Sequence, residues 1–481
     1  MRISVVGDVL LDRGVPAALQ RDSAGLQRTA RRLWAHSRYV IGNLECPLAT
    51  TGVSVQKQFS FRGQPQSARW LRRLGFTQLS LANNHTLDQQ LTGLRATNEA
   101  LRQAGLTGLG FAPDSLTGCL PTLLGPDSSA AVFAYSALHV KAKGQGCLCG
   151  RDFAALCERV AAYKTLFPRR AVLVYLHWGT EYSFAPEPEQ RQQARTLIDC
   201  GAAAVVGAHP HVVQAAEFYR GHPILYSLGN FLFDQQGRGA DLAVQADFDV
   251  QDGQVIATWI RPLRLRGAVP RPADKAAQAI LAARLQGASS APRLVPDPAA
   301  GGWQLLPNVP APIADTTAAY VARQLVLPGA GATVRLRYRP QAREYQVQTS
   351  VGAATTRLDL GFPLYRFTLG DVDNDGQADL LVGPIKTTRF DSTVRRRLFV
   401  YRLQDGRWTP RWLGSRVVHR LLYFRPARDA AGRTVVLTLE QTPAKQYCVG
   451  RYYWQGFGLT LDQFTQQSAS LDEAYLHFIQ P

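Results

Sequence analysis

The sequence has no apolar run long enough to cross a bilayer. A transmembrane helix needs roughly 20 consecutive, mainly apolar residues, and no stretch of this 481-residue chain approaches that length. Residues 1–8 already read as a β-strand, which leaves no room for the basic segment, apolar segment and cleavage site of a signal peptide. We therefore expect a soluble chain without a membrane span, and a cytoplasmic protein if Met1 is the true start.

Cysteine is scarce, and its spacing suggests no metal site. The chain has seven cysteines, an odd number, and none forms the C-x-x-C pair typical of structural zinc sites. The pattern predicts mostly free thiols, some of them buried. The cysteine pattern does not distinguish a reducing from an oxidising compartment.

Acidic residues are too few to balance the basic ones. The chain has 54 Lys and Arg against 36 Asp and Glu, a formal net charge of +18. Such a charge favours contact with polyanions, whether nucleic acid, an anionic envelope polymer or a phosphorylated substrate. Codon bias in a GC-rich genome would also produce the observed excess of arginine over lysine. The basic residues form no run and no alternation with aromatic residues, which argues against nucleic acid.

Two patterns follow one another along the chain, which is longer than one hydrophobic core usually serves. Up to about residue 265, β-rich apolar runs alternate with helical patterns, as is typical of an α/β layered domain. A stretch rich in Gly, Ala, Ser and Pro follows at 287–312, and short strands separated by Gly and Asp turns follow from 332. We therefore expect an α/β domain over 1–286, a linker over 287–331 and a smaller all-β domain over 332–481.

Polar side chains stand where six predicted strands of the first domain end. The six runs are 2–7, 39–42, 78–82, 171–176, 203–207 and 223–228. The polar residues at their ends are Asp8, Asn43, Glu45, Asn83, Asn84, His85, His177, His209, His211 and Asn230. Ligands bind beyond the carboxyl ends of strands in open α/β sheets, so we expect these side chains to converge on one site.

These side chains are suitable ligands for a divalent metal. Zn, Mn and Fe accept imidazole, carboxylate and amide oxygen, and two such ions can polarise an ester or amide and supply a hydroxide nucleophile. Each residue alone is better explained as a hydrogen-bonded loop residue or a helix cap, but their joint occurrence favours metal binding. His209 and His211 lie on a tight loop after a buried strand, so both can face one point. The sequence predicts one or two ions of Mn, Zn or Fe.

Six motifs occur in order along the first domain: GDVLLDRGV (7–15), GNLECPL (42–48), LANNHTLD (81–88), LHWGTEY (176–182), GAHPHVVQ (207–214) and LYSLGNFLFDQ (225–235). This series resembles the CapA family of capsule and poly-γ-glutamate biosynthesis proteins. The resemblance covers about 55% of the chain and implies a calcineurin-like metallophosphoesterase fold in α/β/β/α layers. It also implies a place at the cell envelope, with poly-γ-glutamate or another capsule polymer and envelope biosynthesis proteins as partners.

The resemblance also implies a set of metal ligands: Asp8, Asn84, His177, His209 and His211. Two motifs depart from the wider metallophosphoesterase superfamily. The first, normally Asp-x-His, reads DVL at 8–10, and the second, normally Gly-Asp-x-x-Asp, reads GNLE at 42–45. One nitrogen ligand is therefore missing and the bridging carboxylate has moved. Both departures are CapA-like, and Glu45 is expected to replace the carboxylate ligand.

Three further residues are predicted to assist the chemistry. His85 matches a histidine that acts on the leaving group or substrate oxyanion, where it would serve as a general acid. Asp88 would orient His85, although a local turn cap explains it equally well. Glu181 would transfer a proton or contact the substrate, and the alternative is a salt bridge with a nearby arginine.

Four polar residues are predicted to bind the substrate. Arg13 would hold an anionic group through its guanidinium, and a plain surface role is the alternative. Asn43 ends a strand beside the predicted ligands. Asn230 and Asp234 lie in the GNFLFD stretch and would frame the pocket.

An acidic loop in the second domain follows the pattern of a calcium site. The sequence DVDNDGQAD at 371–379 places oxygen ligands at alternating positions, with glycine at the turn. It lacks a glutamate at the twelfth position and has strand-like flanks, so it resembles the DxDxDG loop of FG-GAP or VCBS β repeats rather than an EF-hand. The predicted calcium ligands are Asp371, Asp373, Asp375 and Asp379. An Asp-rich turn stabilised by its own hydrogen bonds is the alternative.

Three functions are compatible with the sequence. The first is a metal-dependent hydrolase acting on an anionic envelope polymer, poly-γ-glutamate by family implication. The second is a non-catalytic factor that binds the polymer, with the ion anchoring carboxylates. The third is a metal-dependent phosphoesterase.

Overall fold

The chain forms two units. The computed structural model describes residues 1–111, 120–125, 129–138, 148–150, 152–235, 237, 239–287, 291–297, 301–308, 324–327, 332–339, 344–352, 354–388, 391–414 and 417–479. The first unit comprises Met1–Cys157 and Pro168–Ala314, and the second comprises Glu158–Phe167 and Asp315–Pro481. Within the described residues, no helix combines the length and apolar character that a membrane span requires.

The described helices are α1 Val15–Leu33, α2 Ser67–Leu74, α3 Gln90–Gln103, α4 Phe153–Leu166, α5 Pro188–Asp199, α6 Lys275–Leu285 and α7 Leu471–Ile479. One large sheet of the first unit has ten strands. They are β1 Arg2–Val9, β2 Tyr39–Leu44, β3 Gln78–Ser80, β4 Thr107–Leu109, β11 Asn230–Leu232, β12 Leu242–Gln251, β13 Gln254–Arg266, β14 Val269–Pro272, β15 Arg293–Asp297 and β16 Gly302–Leu306.

The second sheet of the first unit has six strands: β5 Thr122–Leu124, β6 Ala130–Ser136, β7 Ala171–His177, β8 Ala204–Ala208, β9 Ala216–Tyr219 and β10 His222–Leu225. In the large sheet, β1 to β4 pair in parallel. The six-stranded sheet also has parallel pairs, which join β6 to β7, β7 to β8 and β8 to β10. Parallel strands need crossovers, which α1, α2 and α3 provide in the large sheet. This alternation confirms the predicted α/β class.

Two hydrophobic clusters fill the first unit. One lies between the large sheet and α1 to α3, and it includes Val9, Leu26 and Leu71. The other joins the two sheets, with Val5 of β1 and Leu173 of β7 among its members. The two sheets therefore face each other, and their strand ends can contribute side chains to one place.

Part of the predicted linker is structured. Strands β15 and β16 pair with each other, and β16 also pairs with β13 of the large sheet. Leu305 is buried, and Leu294 and Trp303 pack against the cluster between the sheets. The surrounding Gly, Ala and Pro residues conceal this apolar pattern in the sequence, so the predicted linker did not foresee these two strands.

The second unit contains three antiparallel sheets. Their strands are β17 Gln324–Leu327, β18 Ala332–Arg339, β19 Glu344–Val351 and β20 Ala354–Leu360; β21 Leu364–Gly370, β22 Asp379–Thr388, β23 Asp391–Arg396, β24 Phe399–Gln404 and β25 Arg407–Trp412; and β26 Arg420–Arg428, β27 Thr434–Gln441, β28 Tyr447–Gln455 and β29 Gly458–Ser468. Val334, Val347, Phe367 and Val382 share one core between the first two sheets. Alternating apolar residues explain this β architecture.

Most described cysteines are free and buried, as predicted. Cys46, Cys157, Cys200 and Cys448 are free thiols, whereas Cys149 is disulfide-bonded. The two remaining cysteines, at 119 and 147, lie outside the described residues.

Candidate metal centre

The parallel strands bring the predicted ligands to one edge. Asp8 at the end of β1 is in register with Asn43 of β2 and with Asn230 of β11. His177 ends β7 in register with Ala208 of β8, which leads directly into His209. The carboxylates and amides thus come from the large sheet, and the imidazoles come from the six-stranded sheet.

A close approach of two backbone segments fixes the position of Asp8. A Cβ on Gly7 would lie 1.7 Å from the carbonyl oxygen of Gly229, so only glycine permits this contact. The amide of Asp8 donates to that same oxygen at 3.2 Å. The contact places the Asp8 carboxylate at the edge where the imidazoles lie.

The ligand atoms form two adjoining groups. Glu45, His177 and His209 form one, and Asp8, Glu45 and His211 form the other; within each group these atoms lie within 4.8 Å of one another. All five residues are buried. Asn84 joins the first group, because its Oδ1 lies 2.9 Å from Nε2 of His177. Two groups that share Glu45 provide donors for one or two divalent cations.

Two of these residues carry buried polar atoms without a hydrogen-bond partner. Both carboxylate oxygens of Glu45 and Nδ1 of His209 are unpaired, although Glu45 is 0% exposed. Burial of an unpaired carboxylate costs several kcal/mol or more. A cation at this position would give these polar groups a partner, so the residues fit a divalent metal.

Burial also sets the protonation states of the cluster. It raises the pKa of Glu45 well above its usual range, and the Asp8 carboxylate raises that pKa further. Burial lowers the pKa of His177 well below its usual range and the pKa of His209 to about 3, with His211 adding to the second shift. The two imidazoles are therefore neutral at pH 7, which is the form that binds metals.

An unusual backbone directs the two imidazoles that follow β8. His209 and His211 have positive φ angles of 97° and 58°, which non-glycine residues adopt only where the surroundings impose them. The amide of His209 donates to Oδ2 of Asp8 at 3.3 Å. The amide of Tyr182 donates to the carbonyl of Pro210 at 2.8 Å. These bonds hold the loop so that both rings face Asp8 and Glu45.

Three asparagines orient the ligands. The Asn43 amide nitrogen donates to Oδ1 of Asp8 at 2.8 Å and lies 3.1 Å from Nδ1 of His177. The Asn83 amide nitrogen donates to Oδ1 of Asn43 at 3.0 Å. Oδ1 of Asn230 lies 2.9 Å from Nδ1 of His211. Asn43 and Asn230 were predicted to bind substrate, but both are buried and hydrogen-bonded to ligands, an arrangement suited to fixing ring orientation.

His85 is held beside the cluster. Its Nδ1 lies 2.9 Å from Oδ2 of Asp88, and its ring packs 4.3 Å from that of Phe61. Burial lowers the pKa of His85, while Asp88 opposes this shift. Lys57 Nζ lies 2.5 Å from Oδ1 of Asp88 and 3.2 Å from Nδ1 of His85. This geometry suits the predicted orienting role of Asp88, and the catalytic roles stay predictions.

Glu181 lies on the exposed side of the centre. One of its carboxylate oxygens is within 4.8 Å of ring nitrogens of His209 and His211. The described residues show no ion pair between Glu181 and an arginine. Its position therefore favours the predicted proton-transfer or substrate contact over the salt bridge, without deciding between those two roles.

Arg13 lies between two aromatic rings near the cluster. Its guanidinium carbon is 5.2 Å from the ring centre of Phe61 and 5.4 Å from that of Phe233. It forms an ion pair with Asp234, which also accepts from the amide of Gly14 at 3.0 Å. The side chain remains 33% exposed, so it is accessible to an anionic group in solution.

Sequence reasoning did not assign roles to four residues around this centre: Lys57, Phe61, Asn83 and Phe233. Asn83 has the clearest signal, because it directly precedes a predicted ligand in the LANNHTLD motif. Lys57 and Phe61 come from an irregular segment between β2 and α2. Their approach to His85 depends on tertiary packing, which no local pattern encodes.

The acidic loop of the second unit has internal partners. Oxygens of Asp371, Asp373 and Asp379 lie within 4.8 Å of one another, a spacing that suits a cation. However, the Arg402 guanidinium donates to Oδ1 of Asp373 and Oδ1 of Asp379 at 2.8 Å each and pairs with Asp375. Burial raises the pKa of Asp379 to about 6 against the effect of Arg402. Calcium binding and the FG-GAP or VCBS likeness stay predictions.

We expect the Arg402→Gln substitution to strengthen calcium binding by this loop about tenfold or more, because it removes a cation that shares three of the carboxylates. Calorimetric titration with CaCl₂ measures the effect. Arg407→Gln is the matched control, since Arg407 is exposed at the start of β25. Tight calcium binding by the unaltered protein, unchanged by Arg402→Gln, would contradict this expectation.

Comparison with known proteins agrees with the motif series. Residues 2–235 match the family model described as bacterial capsule synthesis protein PGA_cap. The capsule biosynthesis protein CapA of Bacillus anthracis is 27% identical, and the match covers 57% of this chain and 70% of that protein. The PGA biosynthesis protein CapA of Bacillus subtilis (strain 168) is 28% identical, over 56% and 73% of the two chains.

A relative from Mycobacterium also has a name that refers to polymer synthesis. A probable polyglutamine synthesis accessory protein of Mycobacterium tuberculosis (strain H37Rv) is 27% identical, over 54% of this chain and 83% of that protein. None of the three alignments covers more than 57% of this chain. Residues 2–235 are thus similar in sequence to the bacterial capsule synthesis proteins of the CapA type.

Proposed function

We propose that the first unit is a metal-dependent hydrolase acting on an anionic envelope polymer, with poly-γ-glutamate as its substrate. The observation that carries the proposal is the buried carboxyl group of Glu45, which lies among three imidazoles without a hydrogen-bond partner. A purely structural cluster would give such a group a hydrogen-bond partner, because a buried carboxyl group without one destabilises the fold whether or not it is ionised. A cation site explains it, and a cation site at the strand ends supports hydrolysis.

The names of the relatives supply the substrate class. The relatives from the two Bacillus species are named for capsule or PGA biosynthesis, and the mycobacterial protein is named for polyglutamine synthesis. Carried to this chain, these names favour a polymer with repeated carboxylates. The same names favour a place at the cell envelope, with capsule biosynthesis proteins as partners.

The proposed ligands are Asp8, Glu45, Asn84, His177, His209 and His211, which would bind one or two ions of Mn, Zn or Fe. A bound cation of this class would polarise the scissile carbonyl and activate water. Asn43, Asn83 and Asn230 orient the ligand side chains.

The remaining residues act on the substrate. Arg13 would bind a substrate carboxylate, since its planar guanidinium suits two parallel hydrogen bonds. His85 would donate a proton to the leaving nitrogen, and Asp88 would favour the protonated imidazole against the effect of burial. Glu181, on the exposed side, would accept a proton from the attacking water.

Elemental analysis of the purified chain, followed by mass spectrometry of poly-γ-glutamate incubated with it, tests the proposal. We expect at least one transition-metal ion per chain and shortened polymer that depends on the metal. Polymer binding without shortening at saturating metal would instead indicate a non-catalytic polymer-binding factor. Robust turnover in a chromogenic phosphoester screen with Mn or Zn, without polymer cleavage, would indicate a phosphoesterase.

A further inference from the structure

The C-terminal half of α1 and the strand β14 border a groove rich in arginine. The groove has a volume of about 540 Å³ and is lined by Arg28, Arg31, Arg32 and Arg271, with Gly25 and Thr29 between them. We call these four arginines and the space between them the basic groove. It contains none of the residues of the metal centre, so any ligand there occupies a different surface of the first unit.

Three of the four arginines carry uncompensated charge. Arg28, Arg31 and Arg32 are exposed, and within the described part of the chain none of them forms an ion pair. Residues spaced by three and four along a helix lie on one face, where like charges repel. The repulsion destabilises the helix in the absence of a ligand, and a bound polyanion would relieve it.

Arg271 has a fixed position in the groove. Its guanidinium pairs with Asp22, and its Nη1 donates to Oγ1 of Thr29 at 3.2 Å. Gly25 leaves the necessary room, because a Cβ there would lie 2.3 Å from Nη2 of Arg271. Four positive charges thus face a single carboxylate, and the surplus charge suits an anion with several negative groups.

The helix dipole explains only part of this arrangement. Arg31 and Arg32 lie in the last turn of α1, where cations interact favourably with the negative end of the dipole. Arg28 lies about one turn earlier, and Arg271 belongs to β14. A role in helix stability therefore does not account for the groove as a whole.

We propose that the basic groove binds a polycarboxylate chain, as a second contact for the polymer processed at the metal centre. The identity of the polymer rests on the proposed function. Helix α1 has 19 residues, so at 1.5 Å per residue its ends lie up to about 28 Å apart. It begins two residues after Arg13 and bends at Asp22, where φ and ψ leave the helical range, so an extended polymer that spans a distance of this order would reach from Arg13 to the groove.

The test is binding of fluorescently labelled poly-γ-glutamate to the full chain, measured by anisotropy at low salt. Arg28→Gln, Arg31→Gln and Arg32→Gln combined are expected to weaken binding about tenfold or more, without changing the metal content. The matched control combines Arg69→Gln, Arg72→Gln and Arg73→Gln on α2, which removes the same charge at the same spacing. It is expected to weaken binding by less than about twofold. At about 1 M salt the difference should disappear, because screening then acts over about 3 Å.

Three results would overturn the proposal. Equal weakening by the two triple variants would show that overall charge, not the groove, binds the polymer. Stronger competition by a polyphosphate or single-stranded nucleic acid of equal charge would reject a polycarboxylate as the ligand. Shortening of the polymer by the unaltered chain, with no loss of affinity in the α1 variant, would reject the groove and leave the proposed hydrolase intact.

The proposed hydrolase can also fail on its own. His209→Ala removes a predicted ligand but leaves the basic groove unchanged. If this variant and the unaltered chain both bind the polymer in a groove-dependent way, and neither shortens it, the groove proposal stands while hydrolysis is rejected.

Discussion

His209→Ala is expected to lower metal affinity by more than about 100-fold and to abolish polymer cleavage at ordinary metal concentrations. Partners outside the ligand shell already contribute roughly 10- to 100-fold to metal affinity, so loss of a direct ligand should have a larger effect. His209 belongs to the ligand group of Glu45 and His177, and its ring also lies within 4.8 Å of ligand atoms of Glu181 and His211. Its loss therefore removes a direct ligand from the first group.

The measurements are metal content after gel filtration and release of shortened polymer. His36→Ala is the matched control, since His36 is exposed between α1 and β2 and belongs to no ligand group. His209→Gln, of similar size, tests whether a folding defect explains the loss, and circular dichroism shows whether each variant is folded. If folded His209→Ala retains both metal and turnover, the proposed mechanism is wrong.

The affinity for the metal is expected to rise about tenfold for each unit of increase in pH, because binding releases one proton from Glu45. Burial and the neighbouring Asp8 raise the pKa of Glu45 well above its usual range, so its carboxyl group keeps its proton to a higher pH than an exposed glutamate does. Burial lowers the pKa of His209 to about 3, so this ring is already neutral at pH 5, and burial also lowers the pKa of His177 well below its usual range. A cation requires the ionised carboxylate, and affinity therefore rises with pH until it passes the pKa of Glu45 and then becomes constant.

Calorimetry in two buffers of different ionisation enthalpy counts the released protons at each pH. We expect close to one proton for the unaltered chain and none for Glu45→Gln, whose remaining affinity should vary little with pH. Release of two or more protons, with affinity becoming constant near pH 6.5, would mean that ordinary imidazoles titrate. That outcome would contradict the protonation states inferred from burial.

The edge of the sheets where the candidate metal centre lies could be predicted from the sequence because each strand is encoded locally. Runs of apolar residues such as 171–176 end at a polar residue, and the observed strand β7 ends at His177. Parallel pairing follows from the alternation of strands and helices, and parallel strands carry their ends to one edge. As a result, Nδ1 of His211 lies 3.2 Å from Oδ2 of Asp8, although the two residues are far apart in the sequence.

What the sequence could not predict depends on contacts between distant segments. Asn43 stands at a strand end like the ligands, and only its bonds to Asp8 and His177 reveal that it orients them. Lys57 has no local signal at all. Likewise, the acidic loop of the second unit fits the calcium pattern residue by residue, but Arg402 reaches it from β24, more than twenty residues away.

The origin of the ligands in two separate sheets has a further consequence. The large sheet supplies three of the proposed ligands at or after the ends of its strands: Asp8, Glu45 and Asn84. The six-stranded sheet supplies the other three in the same way: His177, His209 and His211. A bound ion would act as a cross-link between them, since neither sheet alone offers more than half of the donors. By mass action, the cohesion of the first unit would then vary with the free metal concentration of its surroundings.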